Sequence, residues 1–121
     1  MLRIVGLQRN AEASEEFLLL QNQGSMRAHL KGHAIVGQEV TDLMMPQAHL
    51  FIDDVDVQPG QFVILYSGPG IPRWAKTKDG SMVYYAYMGR KRSVWLSAEL
   101  PLHVLSTTHS YTERQSYVNL R

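Results

Sequence analysis

The sequence predicts an all-β domain, an antiparallel β-sandwich, on three observations. Turn-forming residues are frequent: Gly6, Gly24, Gly32, Gly37, Pro46, Pro59-Gly60, Gly68-Pro69-Gly70, Pro72, Asp79-Gly80, Gly89 and Pro101. They cut the chain into pieces of roughly 5 to 12 residues, a length that suits strands and excludes most long helices. Between them lie short apolar or alternating runs at the even spacing of a sandwich. Gln58-Pro59-Gly60-Gln61 also carries hairpin chemistry, with Pro59 set for the first central position of a type II turn and Gly60 for the positive φ of the second. At 121 residues the chain is the size of one domain, expected over 1–121 with the last ten or so residues as a loose tail.

The expected strands are 2–5, 16–21, 30–36, 49–52, 61–66, 81–88, 93–96 and 102–106. Residues 11–22 present a conflict, because Ala11-Glu12-Ala13-Ser14-Glu15-Glu16-Phe17-Leu18-Leu19-Leu20-Gln21-Asn22 is full of helix formers. Propensity is a weak prior, and the four apolar residues Phe17 to Leu20 between polar flanks also fit a buried strand. The surrounding β pattern decides for the strand. In 61–66, Phe62, Ile64 and Tyr66 share one face and Val63 and Leu65 the other, so both faces are apolar and the strand is expected at the sheet centre. Gly89-Arg90-Lys91-Arg92 is expected to turn the Tyr-rich strand into Ser93-Val94-Trp95-Leu96. The expected core comprises Ile4, Leu18, Leu20, Leu30, Ile35, Phe62, Ile64, Val83, Trp95 and Val104.

Composition narrows the function classes. With 45% apolar and 19% charged residues the chain has enough apolar material to fold. The longest apolar run, 82–88, is far short of the ~20 residues of a membrane-spanning helix. The N-terminal residues lack a signal-peptide apolar stretch, so a cytoplasmic location without membrane association is expected. The absence of cysteine removes disulfide scaffolds, thiolate nucleophiles and cysteine zinc sites.

Charge is uneven beneath the net +1. Residues 1–72 hold four Lys/Arg against eight Asp/Glu, 73–92 hold six against one, and the remainder two against two. The basic block, Arg73, Lys76, Lys78, Arg90, Lys91 and Arg92, is interleaved with Trp74, Tyr84, Tyr85 and Tyr87, a mixture used by single-stranded nucleic-acid platforms. A pI near 8.1 falls short of the strongly basic signature of such proteins, and a solvated lysine loop and arginine turn account for the same residues.

Several segments resemble the lamin-tail-like domain, an immunoglobulin-type sandwich. Residues 16–24, Glu-Phe-Leu-Leu-Leu-Gln-Asn-Gln-Gly, are similar to that family's glutamate, aromatic, alternating apolar strand and Asn-x-Gly turn. Leu30-Lys31-Gly32-His33-Ala34-Ile35 resembles its Leu-x-Gly-Trp-x-Leu strand, with His33 where the tryptophan usually sits. Residues 58–70 resemble its Pro-Gly turn, apolar strand and Tyr-Ser/Thr-Gly-x-Gly. Val94-Trp95-Leu96 lies where the family often has Trp-Asn-Asn, although Ser97-Ala98-Glu99-Leu100 departs from the turn that follows. The likeness runs over roughly residues 2–112 in consistent order. It implies an immunoglobulin-like antiparallel β-sandwich and a binding or structural module whose ligands differ between members, and fold alone does not give function.

No catalytic set emerges. His29 and His33 have a helical metal spacing, but Gly32 and the β pattern break it. One of the two is then a surface residue and the other packs against the sheet. His103 alternates outward with apolar neighbours, and His109 sits in a polar stretch. Asp53, Asp54 and Asp56 beside Glu39 or Asp42 offer oxygen ligands, but EF-hand spacing requires glycine and glutamate where Gln58 and Ile64 stand. Ser67-Gly68-Pro69-Gly70 is no nucleophile elbow, because Leu65 replaces the first glycine, and no phosphate loop, because no Gly-Lys-Ser/Thr follows. Trp95 is expected in the core and Trp74 in an exposed, proline-stiffened loop, as a binding anchor or as an anchor of the loop itself. The expectation is therefore a non-enzymatic module without metal or cofactor. It binds a protein partner or its own copy through a sheet edge or through Arg73, Trp74, Lys76 and Lys78. The alternative is nucleic-acid binding through the same residues with Arg90, Lys91 and Arg92.

Overall fold

The computed structural model describes residues 1–37, 47–96 and 102–106. The expected tail, Glu39, Asp42, His109 and the turn at 97–100 lie outside them. The described residues form β1 (Leu2–Gln8), β2 (Phe17–Asn22), β3 (Ala28–His29), β4 (His33–Gly37), β5 (Ala48–Leu50), β6 (Asp56–Val57), β7 (Phe62–Tyr66), β8 (Arg73–Lys76), β9 (Met82–Tyr87) and β10 (Leu102–Ser106). Five strands make one sheet in the order β1-β2-β7-β9-β8, and a second sheet runs β10-β4-β5. A two-residue ladder joins β3 to β6. This is the all-β sandwich the sequence predicts.

The conflict at 11–22 resolves as one 3-10 turn, Ala13–Glu15, followed by β2. The strand prevails because Leu18 and Leu20 become fully buried while Phe17 and Leu19 face outward, a period-two division that a helix cannot make. Strand β7 lies at the sheet centre, pairing with β2 on one side and β9 on the other. The strand prediction is corrected at four places. Pairing across β7 and β9 is parallel, because residues 67–72 cross to the sheet edge before β8 turns back antiparallel into β9. Leu30 to Gly32 form a turn before β4, with the His33 amide donating to the Leu30 carbonyl at 3.1 Å. Ser93 to Leu96 are not a strand. The segments β3, β6 and β8 were not expected, being two to four residues long.

The core between the sheets holds Leu2, Leu18, Leu20, Leu30, Ile35, Phe51, Val57, Val63, Leu65, Tyr84, Ala86, Val94 and Trp95, with Ile4 and Val104 packed against it. Phe62 and Ile64 are half-buried on the other face of β7; a strand with two apolar faces leaves the buried one undetermined until its sheet partners are known.

The Pro59-Gly60 turn forms as expected. The Gln61 amide donates to the Gln58 carbonyl at 3.0 Å, the Gly60 amide to the Asn22 carbonyl at 2.8 Å, and Gly60 has φ +86°. A Cβ there meets nothing within 4 Å, so Gly60→Val carries only backbone strain. It is expected to lower stability by about 1 kcal/mol, read as a shift in denaturation midpoint; an unchanged midpoint removes the turn from the determinants of stability.

His49, on β5, packs edge-on against Phe51 at 4.8 Å between ring centroids. Burial depresses its pKa to about 4, with Asp53 opposing and Arg90 adding to the shift. The folded ring binds its proton more weakly than the unfolded ring, whose value is 6.5. Stability from this group is therefore present above pH 6.5 and lost as pH falls towards 4. His33 is shifted in the same direction, first by burial. For His49 alone, unfolding free energy is expected to drop by about 2 kcal/mol between pH 7.5 and pH 5. Urea titrations of wild type and His49→Phe at both pH values check this, and equal pH slopes overturn it.

Candidate functional site

The outer face of the five-stranded sheet follows from register, since directly paired residues share a face. It carries Phe17, Leu19 and Gln21 on β2, paired with Tyr66, Ile64 and Phe62 on β7. These in turn pair with Tyr87, Tyr85 and Val83 on β9, and Arg73 and Ala75 on β8 lie beside Tyr85 and Val83. Apart from buried Val83 and exposed Arg73, these residues are partly buried and keep some access to water. A contiguous run of partly accessible apolar and aromatic side chains across one sheet face is the kind of patch that marks an interaction surface.

One end of the face is organised as a groove of about 350 Å³ lined by Ser14, Glu15, Phe17, Tyr66, Pro69, Arg73, Tyr85 and Tyr87. Tyr66 stands between Tyr85 and Tyr87, with ring centroids 6.3 and 5.7 Å away and planes within 12° and 15° of parallel. Phe17 closes on Tyr66 at 5.5 Å. The Arg73 guanidinium lies 4.4 Å from the Tyr85 ring centroid and donates to the Tyr87 hydroxyl at 3.1 Å. Gly70 backs this arrangement, because a Cβ there would overlap the Tyr87 ring; the close backbone approach requires glycine. Burial, then the neighbouring Tyr85 and Tyr87, raise the Tyr66 pKa, so its phenol stays protonated and available to hydrogen-bond.

The basic block expected as one site is divided. Arg73 is on the outer face, whereas Trp74 points inward, half-buried in β8, with its ring 5.3 Å from Tyr84 and packed against the core. The expected exposed loop is thus a strand, since alternation along β8 sends Trp74 to the side opposite Arg73. Lys76 also lies on the inner-facing register, opposite Met82. Lys78 sits in the turn at 77–80 and Arg90, Lys91 and Arg92 follow the other end of β9, roughly 20 Å along the strand. The Arg90 amide donates to the Ser67 carbonyl at 2.8 Å, and the Arg92 main chain pairs with that of Glu12 in an isolated antiparallel β-bridge. Trp74→Ala is expected to reduce stability by about 2 kcal/mol, as partial loss of a core-packed aromatic does. Thermal unfolding checks it, and an unchanged melting temperature would return Trp74 to the surface.

Sequence reasoning missed Phe17 and Tyr66 as site residues. The signal for Tyr66 is the period-two sharing of Phe62, Ile64 and Tyr66, which marks a second apolar face on this strand as well as a central position.

Among the described residues the histidines and aspartates form no comparable site. The exposed His29 ring has Asp54 at 2.9 Å from Nε2 and Asp56 at 2.7 Å from Nδ1, and Arg27 adds a contact to Asp56 at 3.4 Å. This cluster ties β3 to β6 and the preceding loop. His103 is exposed on β10. Asp53 accepts from the Tyr84 hydroxyl at 2.8 Å; burial, then this contact, raise the Tyr84 pKa to about 12. Among the described residues no group of three or more His, Cys, Asp or Glu is placed to hold a metal ion, and no helix is long and apolar enough to cross a membrane. Compared with known protein families, curated proteins and solved structures, the chain matches none.

Proposed function

We propose that the chain is a non-enzymatic protein-interaction module, of the lamin-tail-like kind its motifs resemble, which binds another polypeptide through the outer face of its five-stranded sheet. The observation that carries this is the contiguous, partly accessible apolar and aromatic face running from Phe17 to Tyr87, with Arg73 at its margin. Tyrosine suits such a surface, since its ring buries apolar area while its hydroxyl stays hydrogen-bonded.

The nucleic-acid alternative finds less support. Base stacking uses a free ring face, whereas Tyr66 is already stacked with Tyr85 and Tyr87 at 6.3 and 5.7 Å between centroids. A phosphate backbone also needs a continuous basic track, and the six cations are split between opposite ends of β9 and opposite faces of β8.

The test pairs Ile64→Glu, which places a charge in the middle of the face, with Lys31→Glu, an exposed control. A photo-crosslinker at position 19 is expected to join the protein to a polypeptide, from another protein or a second copy, and Ile64→Glu abolishes the adduct while the control retains it. Retention of single-stranded oligonucleotides, falling steeply between about 50 and 200 mM salt and without any polypeptide adduct, gives the function to nucleic acid instead.

A further inference from the structure

We infer that Arg73 reads a carboxylate on the partner, so that the ligand of the outer-face groove is an acidic peptide segment with an apolar side chain beside its Asp or Glu. This rests on the protein-binding function proposed above and specifies its ligand.

Arg73 is exposed, yet it is fixed. Its guanidinium is stacked over Tyr85 and tied to the Tyr87 hydroxyl, and Gly70 backs the Tyr87 ring. A flexible arginine loses considerable rotamer entropy on docking; one already stacked and hydrogen-bonded loses less. The guanidinium has five N–H donors in a planar fork, of which the Tyr87 hydroxyl takes one. No described carboxylate pairs with it; the carboxylates of Asp54 and Asp56 are engaged instead with His29 and Arg27. The remaining donors match the bidentate geometry of a carboxylate.

Charge complementarity selects the carboxylate over phosphate. Arg73 and Glu15 line the same groove. A phosphoryl group carries about −1.5 to −2 at neutral pH and is normally held by several arginines. Here one cation faces it and one carboxylate repels it. A single Asp or Glu needs only the one fork, and Glu15 then favours a basic or amide residue further along the same peptide. Phe17 and Tyr66, at the Glu15 side, supply the apolar floor for the adjoining side chain.

The experiment pans a random peptide library on the immobilised protein and measures the selected peptides by fluorescence anisotropy against wild type, Arg73→Gln, Arg73→Lys and Tyr85→Ser, each confirmed folded by its melting curve. The expected peptides share an Asp or Glu next to an apolar residue. Arg73→Gln and replacement of that acid by its amide each weaken binding about tenfold, and the two changes together weaken it little more than either alone. Arg73→Lys is expected to recover little, because an ammonium cannot reproduce the fork. Selected peptides that lack a common acid, or that bind Arg73→Gln as tightly as wild type while Tyr85→Ser abolishes them, overturn the carboxylate inference and leave the protein-binding function standing. Failure to select any peptide, or selection only by phosphorylated probes, also overturns it; failure of both this selection and the position-19 crosslink removes the protein-binding function itself.

Discussion

Replacing Glu16 with alanine is expected to cost about 4 kcal/mol, a large part of the stability of a domain this size. The side chain is fully buried, and its two oxygens gather donors from three stretches of chain. Oε1 accepts from Ser67 Oγ at 2.6 Å, the Val94 amide at 2.7 Å and the Trp95 amide at 3.0 Å. Oε2 accepts from Ser93 Oγ at 2.5 Å and the Asn10 amide at 3.2 Å. Residues 93–95 have no strand partners, so this carboxylate is what fixes their main chain and seats Trp95, itself fully buried, in the core. Alanine strands five donors, and buried donors without acceptors carry the full desolvation penalty. Glu16→Gln is expected to lose less, since one oxygen remains, but its amide group must face donors. Urea denaturation of both variants checks the order, and an alanine variant within 1 kcal/mol of wild type would show that the segment is held by something else.

The same site adds a pH dependence. Burial works to raise the Glu16 pKa, but the hydrogen bonds from Ser67, Ser93, Trp95 and Val94 outweigh it, and the net shift is below the usual 4.5. The folded carboxyl therefore releases its proton more readily than the unfolded one. Its contribution is complete above pH 4.5 and is lost as pH falls through the depressed folded value, a window below the one set by His49.

Asn22→Ala is expected to cost about 3 kcal/mol. Asn22 is buried at the end of β2, where Nδ2 donates to the Met26 carbonyl at 2.9 Å and the Val57 carbonyl at 2.8 Å. Oδ1 accepts from the Gly24 amide at 3.0 Å and the Met1 main-chain nitrogen at 2.8 Å. One amide thus joins β1, β2, the 23–26 turn and β6 with both donor sites occupied. Asn22→Asp, nearly identical in shape, turns an acceptor towards two carbonyls and is expected to be at least as destabilising as alanine. If the aspartate variant unfolds at the wild-type midpoint, the donor role is wrong.

Local chemistry made the all-β class, the central position of β7, the Pro59-Gly60 turn and the burial of Trp95 legible in the sequence. Pro59 and Gly60 impose dihedral preferences that need no distant partner, and period-two patterning marks a strand wherever one face is buried. Tertiary structure decided the rest. Which side of β7 is core depended on pairing with β2 and β9, because its two apolar faces gave patterning nothing to choose between. Trp74 and Arg73 are adjacent in the chain but face opposite sides of the sheet, so a cluster counted along the sequence divided once β8 paired with β9. Phe17, Tyr66, Tyr85, Tyr87 and Arg73 come from four strands, and Glu16 reaches Val94 across 78 positions. Such groupings exist only after the chain is folded, since sequence records which side chains are available and sheet register fixes which of them meet.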